Sequence, residues 1–393
     1  MARITSSYKT KSSVALDHDT TIIAVVELSL KTWVIAGHVP GLDRRPVKKT
    51  AGRAEGLKRV LATWRAEAER SGRRVERVVV AFEAGRDGFW LARLLCREGI
   101  EVYVIHPASI PVPRGRRAKT DRLDTDMLLR AISAWLRGEP DACRMAAIPS
   151  AEEEDLRRPS RERTNLKTER TRLINRIRSL FALHGLVGIN PNTPATRSKL
   201  DTLCTAEGDV LPPNLRGELD RLFDRLDLVK RQIKAIESAR DERIAAAGKD
   251  ETTLTGQALA MIAHLLTLTG MGATTASVLV SEVFVRKFRD RRALARFVGL
   301  TGTPDESGSR RRDRGMMKGG SARVRHVMIQ LAWRMLRHQP DCALVRWYRE
   351  RVEKANGAGK KTFIVALARK LLIALWRFVS EGVVPEGMRF ANA

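Results

Sequence analysis

Apolar, β-rich runs alternate with helical segments in the first 145 residues, and this alternation restricts the fold more than any other feature. The adjacent runs TIIAVVELSL and KTWVIAGHVP (21–40) are typical of a β-hairpin, and VERVVVAFEAG (75–85) and IEVYVIHP (100–107) are typical of buried strands. A segment with helical periodicity precedes each of the last two strands. The order predicts a mixed α/β domain over 20–145, with helices covering the sheet.

The middle of the chain, 146–255, carries a heptad repeat. Apolar residues from Leu215 to Ile236 are spaced alternately four and three residues apart, with charged residues between them. A shorter series from Leu166 to Leu180 has similar spacing. The pattern predicts a helical coiled coil that joins two chains. The alternative is an amphipathic helix that packs on its own domain.

From residue 256 to 393 the sequence predicts a mainly α-helical domain. The stretch LLTLTGMGATTASVLVSEV places a G-M-G turn between apolar helices. This turn is either a helix-hairpin-helix motif whose amides meet DNA phosphates or an ordinary tight turn. The segment TGTPDESGSRRRDRGMMKGGS (301–321) predicts a flexible basic loop. Residues 281–330 hold 13 Lys/Arg and 5 Asp/Glu, so positive charge concentrates around that loop.

The charge of the whole chain indicates nucleic acid as a partner. With 72 Lys/Arg and 45 Asp/Glu, the formal net charge is +27, which attracts a polyanion. Four cysteines without a C-x-x-C pair argue against a disulfide framework or a zinc knuckle and favour a reducing cytoplasm. Residues 1–19 have the character of a disordered basic tail. The apolar stretch 363–379 contains three cations, which favours a buried or partner-facing helix over a membrane span.

The stretch KTDRLDTD (119–126) gathers three aspartates. If Thr120 caps a helix, Asp121 and Asp124 lie about 60° apart on one face and can converge on one point. Asp126 then lies roughly 140–160° from both. The apolar stripe expected to dock this helix consists of Leu123, Met127 and Ala131.

Two further acids end apolar strands: Glu27 follows IIAVV, and Glu83 follows VVVAF. A carboxylate at the end of a central strand is costly unless it has a partner. Mg²⁺, which takes hard oxygen ligands, would be one, and such an ion stabilises charge in phosphodiester chemistry. Spacing alone leaves open that each acid is a cap or a surface residue.

Taken together, these motifs resemble a known family. The acids Glu27, Glu83, Asp121 and Asp124, with FEAGRDG and RRAKTDRLDTDMLL, are similar to those of the DEDD transposases of bacterial insertion sequences. The segments LTGMGATTASVLVSEV, FRDRRALARFVGLTG and SGSRRRDRGMMKGGSARVRHVMIQLAW resemble the C-terminal transposase domain of the same family. The resemblance runs from about 20 to about 350. It implies an RNase H/RuvC-like N-terminal domain and a C-terminal serine transposase domain.

The resemblance also implies a reaction. Ser307 aligns with the serine that attacks DNA and forms a covalent phosphoserine link, whereas Ser309 falls where the family has Gly. The four acids would hold Mg²⁺ or Mn²⁺, although Glu27 stands where the family usually has Asp. The family is guided by a structured "bridge" RNA and builds its site from several chains, which implies donor and target DNA, guide RNA and a second copy of the chain as partners.

Cations near these motifs are candidates for nucleic-acid binding, and Arg310, Arg311 and Arg312 could also stabilise the charge of the attacked phosphate. The full set is Arg116, Arg117, Lys119, Arg310, Arg311, Arg312, Arg314, Lys318, Arg323 and Arg325.

Three functions remain open. The first is a transposase that cuts and rejoins DNA through Ser307, in the bacterial cytoplasm at the nucleoid. The second is a RuvC-like nuclease that hydrolyses DNA with metal-activated water while Ser307 is idle. The third is a non-catalytic architectural binder of nucleic acid.

Overall fold

The computed structural model describes residues 14–85, 88–110, 120–246, 252–307, 310–317 and 319–391, with the backbone alone at 121, 304–307 and 310–314. The chain divides into two compact units: the first ends at Ala151, and the second begins at Glu152. The first is a mixed α/β domain, and the second is mostly helical.

The first unit is built on a five-stranded sheet. Its strands are β1 (Thr21–Glu27), β2 (Thr32–His38), β3 (Val47–Ala51), β4 (Arg77–Glu83) and β5 (Glu101–Ile105), in the spatial order β3-β2-β1-β4-β5. β2 runs antiparallel to β1 and β3, whereas β4 and β5 run parallel to β1. The predicted hairpin and buried strands are confirmed; the edge strand β3 was not predicted.

Helices cover both faces of this sheet. Successive residues of a strand point to opposite faces, and in this sheet both sets are apolar. Even-numbered residues of β1 and β4, such as Ala24 and Val80, share a core with α1 (Ala54–Arg70) and α2 (Phe89–Arg97). Odd-numbered residues, such as Val25 and Val79, share a core with α3 (Asp121–Leu136). A helix on each face buries β1 and β4 completely along their middle.

A helical hairpin opens the second unit. After the short α4 (Ala151–Asp155) come α5 (Arg158–Leu183), α6 (Pro194–Ser198) and α7 (Pro213–Ala245). Ion pairs Arg163–Glu237 and Arg176–Glu218 show that α5 and α7 are antiparallel. The heptad residues of α7 from Leu215 to Ile233 are buried in one core with Leu173, Ile177 and Leu180 of α5, and Ile236 is half-buried.

The heptad seam therefore has its partner within the chain. The alternative reading, a helix that packs on its own domain, describes α7, and the seam that was expected to join two chains is covered by α5. Self-association stays a prediction, and this seam no longer supports it.

The rest of the second unit packs around one apolar core. It comprises α8 (Leu254–Leu266), α9 (Ala273–Leu279), a π-helical turn (Val280–Phe284), α10 (Arg291–Val298), β6 (Gly302–Ser307), β7 (Arg310–Met316), α11 (Ala322–His338), α12 (Ala343–Lys354) and α13 (Lys360–Glu381). The long apolar stretch at 363–379 forms α13, whose inner side is buried in this core. No helix in the described ranges is both long and apolar enough to cross a membrane.

Candidate functional site

Glu27 and Glu83 lie at the same edge of the sheet. They end the parallel neighbours β1 and β4, whose register pairs Val26 with Phe82 one residue earlier. Successive side chains of a strand point to opposite faces, and the odd-numbered residues of both strands belong to the α3 side. The two predicted acids therefore end adjacent strands on one face, and both are half-buried.

Helix α3 runs antiparallel to β1. Burial, with the nearby charges of His38 and of Arg137 at the C-terminal end of α3, lowers the pKa of His18, which precedes β1. The C-terminal end of α3 is thus close to the start of β1. A helix of 16 residues is about 24 Å long and a strand of seven about 23 Å. This direction agrees with the predicted approach of the first turn of α3 to Glu27 and Glu83, and the approach itself stays a prediction.

The start of α3 agrees with the predicted cap. The Thr120 side chain accepts a hydrogen bond from the backbone N–H of Leu123, and the helix begins at Asp121. Asp124 is half-buried in the first turn, and Asp126 is half-buried as well.

The docking stripe predicted for α3 is only partly right: Ala131 is buried in the core against the sheet, and Met127 packs at the margin of that core. Leu123 and Met127 are only half-buried, whereas Thr125, Leu128 and Ile132 are almost fully buried. The side of the helix that faces the sheet is therefore rotated relative to the predicted side. Position 121 lies four residues before Thr125 and seven before Leu128, in the same helical row.

The donor chemistry of this edge fits a hard divalent cation, since carboxylate oxygens are ligands that Mg²⁺ takes. Among the side chains that the structure describes, no three acidic, His or Cys groups form a cluster that could hold an ion. The Asp121 side chain is outside that set, so the four-acid site stays a prediction.

Ser307 lies on a β-hairpin and not on the predicted flexible loop. β6 and β7 pair antiparallel, with Ser307 opposite Arg310, so that Gly308 and Ser309, which lie outside the described residues, fall between the paired ends. The same register sets Glu306 opposite Arg311 and Asp305 opposite Arg312. Cross-strand positions of opposite charge favour such pairing. Because these two strands contain almost no apolar residues, they show no apolar–polar alternation, and the sequence therefore indicated a loop.

The base of this hairpin is fixed to the helices around it. The Arg325 guanidinium donates to the backbone oxygens of Met317 (3.2 Å) and Gly319 (3.0 Å). Gly299, with a φ of +77°, ends α10 so close to this segment that a Cβ would lie 2.3 Å from the oxygen of Gly319. The backbone N–H of Met317 also donates to Thr301. These contacts define the direction in which the hairpin leaves the domain.

A buried carboxylate joins α5 to the π-helical turn. Glu282, whose side chain is 7% exposed, forms a two-point contact with Arg161, with both nitrogen–oxygen distances at 2.8 Å. Arg323 at the start of α11 lies 3.7 Å from the same carboxylate. Arg157, 5% exposed, donates to the backbone oxygen of Ser281. Sequence reasoning missed this cluster; its signal is one acid inside the apolar run ASVLVSEVFV.

The arginines of this cluster stabilise the negative charge of Glu282. Burial acts to raise the pKa of the Glu282 carboxyl, but the hydrogen bond and charge of Arg161, with the charges of Arg157 and Arg323, bring it below its ordinary value. Burial, aided by the charge of Arg286, lowers the pKa of Arg157 to about 10. Glu282 is therefore ionised at neutral pH and holds three elements together.

The predicted nucleic-acid contacts have different outcomes. Arg323 and Arg325 have partners inside the protein, which gives them a structural role beside the predicted one. The others lie outside the described residues (Arg116, Arg117, Lys119, Lys318) or within the part described by its backbone alone (Arg310, Arg311, Arg312, Arg314). Their contacts with nucleic acid stay predictions.

The G-M-G turn packs inside the domain. Gly270 has a φ of +87°, and a Cβ there would lie 2.8 Å from the Cβ of His338. The buried side chain of Gln339 donates to the backbone oxygens of Thr269 and Arg389, so the C-terminal segment also contacts the turn. This geometry favours the tight-turn reading over the phosphate-binding one.

Comparison with known proteins identifies both halves of the chain. Residues 262–345 match the family model described as "Transposase IS116/IS110/IS902 family", and residues 42–185 match a DEDD transposase model of IS110 elements, described as "Transposase". No solved structure matches the chain.

Curated relatives match over most of the length. The chain is 43% identical over 372 residues to the "Putative transposase y4rJ" of Sinorhizobium fredii, which covers 93% of each. It is 27% identical to a "Probable family 20 transposase" of Pseudomonas aeruginosa, over 77% of this chain and 84% of the relative. It is 25% identical to the "Transposase for insertion sequence element IS1111A" of Coxiella burnetii, over 77% and 78%. By these matches the chain belongs to the IS116/IS110/IS902 family of insertion-sequence transposases.

Proposed function

We propose that this transposase cuts and rejoins DNA through a covalent link to Ser307, with Glu27, Glu83, Asp121 and Asp124 holding a divalent metal and a structured RNA guiding target choice. The observation that carries the proposal is the backbone register of the hairpin, which sets Ser307 at the end of β6 and opposite Arg310. A nucleophile at the end of a paired strand is held in position, as covalent catalysis requires.

The reaction consists of two exchanges of phosphoesters. The Ser307 hydroxyl gives its proton to a base while its oxygen attacks a DNA phosphorus, and the bond from that phosphorus to a deoxyribose oxygen breaks. The departing oxygen takes up a proton and becomes a free hydroxyl. In the second exchange a hydroxyl of another DNA end attacks the phosphoserine, which regenerates Ser307. The phosphodiester energy is conserved, so no ATP is needed.

The acids and the arginines have separate tasks in this reaction. Arg310, opposite Ser307, and its neighbours Arg311 and Arg312 would stabilise the negative charge of the attacked phosphate. The four acids would hold Mg²⁺ or Mn²⁺, which supplies further charge stabilisation when bound. Since Ser307 and the acids belong to different compact units, the reaction needs the two units, of one chain or of two, to meet on one phosphate.

The test is a denaturation-resistant protein–DNA adduct. Incubation of the full chain with Mg²⁺, the RNA transcribed beside its gene and a matching DNA should give an adduct that survives denaturing electrophoresis. Ser307→Ala should remove it, and Ser309→Ala should retain it. An adduct in Ser307→Ala but not in Ser309→Ala would move the nucleophile to Ser309. Cleavage without an adduct in any variant, dependent on Asp124, would favour the water-using nuclease.

A further inference from the structure

The α5–α7 hairpin carries its positive charge on one helix. α5 contains eight Lys/Arg and two Asp/Glu, whereas α7 contains eight and seven. Two acids of α7, Glu237 and Glu218, pair with Arg163 and Arg176 of α5, and these pairs still leave α5 with more cations than acids. The unbalanced charge of the hairpin therefore belongs to α5.

The side of α5 opposite its buried residues presents a row of small, neutral, hydrogen-bonding side chains. Viewed down the helix axis, these side chains lie within an arc of roughly 80°. They are, in order, the exposed residues Thr168, Thr171, Asn175 and Ser179. With the buried Leu173 and Ile177 facing α7, this outward strip is turned away from the hairpin core.

Exposed cations flank the outward strip on both sides. Lys167 and Arg178 lie on one flank and Arg172 on the other, each roughly 55–85° from the middle of the strip. None of the three forms an ion pair among the described side chains. The two acids of α5, Glu162 and Glu169, lie more than roughly 100° from that middle, and Glu169 pairs with Arg225 of α7.

The hydrogen bonds of the threonine hydroxyls favour RNA over DNA as the polyanion bound by this strip. Thr168 donates its hydroxyl hydrogen to the backbone oxygen of Thr164 (3.1 Å), and Thr171 donates to that of Lys167 (3.0 Å). With its hydrogen used inside the helix, each hydroxyl can only accept toward solvent. A phosphate oxygen cannot donate to it, but a ribose 2′-hydroxyl can.

We propose that the outward strip binds an RNA duplex on its wide, shallow minor-groove side. Thr168, Thr171 and Asn175 contact 2′-hydroxyls, and the flanking cations contact the phosphates on either side of the groove. The proposal rests on the proposed function for the presence of a structured RNA, and it gives that RNA a surface separate from Ser307 and the four acids.

The first test removes the flanking charge. The full chain is titrated, without metal, against a 5′-labelled RNA duplex of about 20 base pairs and a DNA duplex of the same sequence, by fluorescence anisotropy at several salt concentrations. The triple variant Lys167→Ala/Arg172→Ala/Arg178→Ala is compared with Arg221→Ala/Arg231→Ala/Lys234→Ala, which removes three exposed cations from α7. Both variants lose the same charge from the same hairpin.

Counterion release gives the size of the effect. Log K falls by about 0.9 per unit of log salt concentration for each phosphate contacted. At about 0.1 M salt, each contact therefore raises the binding constant roughly eightfold. The α5 variant should therefore bind the RNA duplex on the order of 100-fold more weakly, with a salt slope smaller by about 2–3, while the α7 variant changes far less. Equal losses in the two variants would overturn the proposal.

The second test addresses the 2′-hydroxyls. Thr168→Val/Thr171→Val keeps the side-chain shape and should lower the preference for RNA over DNA while DNA affinity stays the same. Equal binding of RNA and DNA by the unmodified protein would overturn the RNA assignment. Equal binding of RNA and DNA by an unmodified protein that still forms the Ser307 adduct counts against the strip alone. Absence of the adduct with strip-dependent RNA binding intact counts against the proposed reaction alone.

Discussion

Replacing Glu282 with Gln tests whether the buried charge cluster holds the second unit together. The substitution keeps the shape of the side chain and removes its charge from among three arginines, of which Arg157 is 5% exposed and Arg323 22%. A charge pair at about 4 Å is worth about 4 kcal/mol at an effective dielectric constant of about 20. Since removal of one partner leaves a buried charge uncompensated, we expect a loss of about 3–5 kcal/mol in the free energy of unfolding.

The assay is thermal and urea unfolding of the full chain. At about 2–4 °C per kcal/mol for a unit of this size, the unfolding transition of the second unit should fall by about 6–20 °C. The control is Glu218→Gln, which breaks the Arg176 pair at the surface, where such pairs contribute about 0–1 kcal/mol. If Glu282→Gln destabilises the protein no more than Glu218→Gln does, the cluster does not hold these elements.

The effect also has a direction with pH. Because the pKa of Glu282 is lowered on folding, its contribution is fully present above the unfolded value of about 4.3 and is lost as the pH falls through the folded value. The stability difference between Glu282→Gln and the unmodified protein should therefore be constant near neutrality and shrink below about pH 4. A difference that grows on acidification would contradict this assignment.

Three further results are expected. Asp124→Ala should abolish DNA cleavage with little change in nucleic-acid affinity, whereas Asp126→Ala stays active; an equally inactive Asp126→Ala would show that the metal-facing side of α3 is misassigned. DNA binding should weaken steeply with salt, by about 0.9 in log K per log salt for each phosphate contacted, and a flat response would contradict a phosphate-contacting surface around 281–325. Arg325→Ala should speed hydrogen exchange of the hairpin amides by about 10–30-fold, because two bonds from a charged donor are lost at its base, while Arg337→Ala on the same helix should not.

The parts of the fold that the sequence predicted are those with apolar periodicity. The runs that became β1, β4 and β5 are buried on both faces, and such strands are nearly continuous in apolar residues. β3, with the sequence VKKTA, lies at the edge of the sheet and is mostly exposed, so it has no such pattern. Lysines are common on edge strands because they discourage further pairing, and their presence hides the strand from a hydrophobicity pattern.

Periodicity predicted that α7 has a partner helix but not which one. The same four–three spacing serves two chains or one chain folded back on itself, and the outcome depends on the apolar face that α5 presents across the loop. The β6–β7 hairpin shows a second limit. Its strands, GTPDES and RRRDRGM, are almost without apolar residues, so their pairing is seen in the backbone register and not in a hydrophobicity pattern.

For the candidate site, the sequence predicted which acids end which strands, because Glu27 and Glu83 follow unbroken apolar runs. It did not predict the rotation of α3, since the stripe at Leu123 and Met127 is as apolar as the one that docks. Glu282 was missed because its partners are more than 100 residues away or in another helix, and pairings across such distances leave no local pattern.

The covalent link to Ser307 is tested most directly by mass spectrometry of the trapped protein. After nuclease treatment and trypsin digestion, cleavage after Arg296 and Arg310 gives one peptide, FVGLTGTPDESGSR, that contains both candidate serines. We predict a nucleotide phosphate on Ser307 in this peptide, and its loss in Asp124→Ala. A nucleotide on Ser309, or an unmodified peptide from a reaction in which the DNA has been cut, would contradict it.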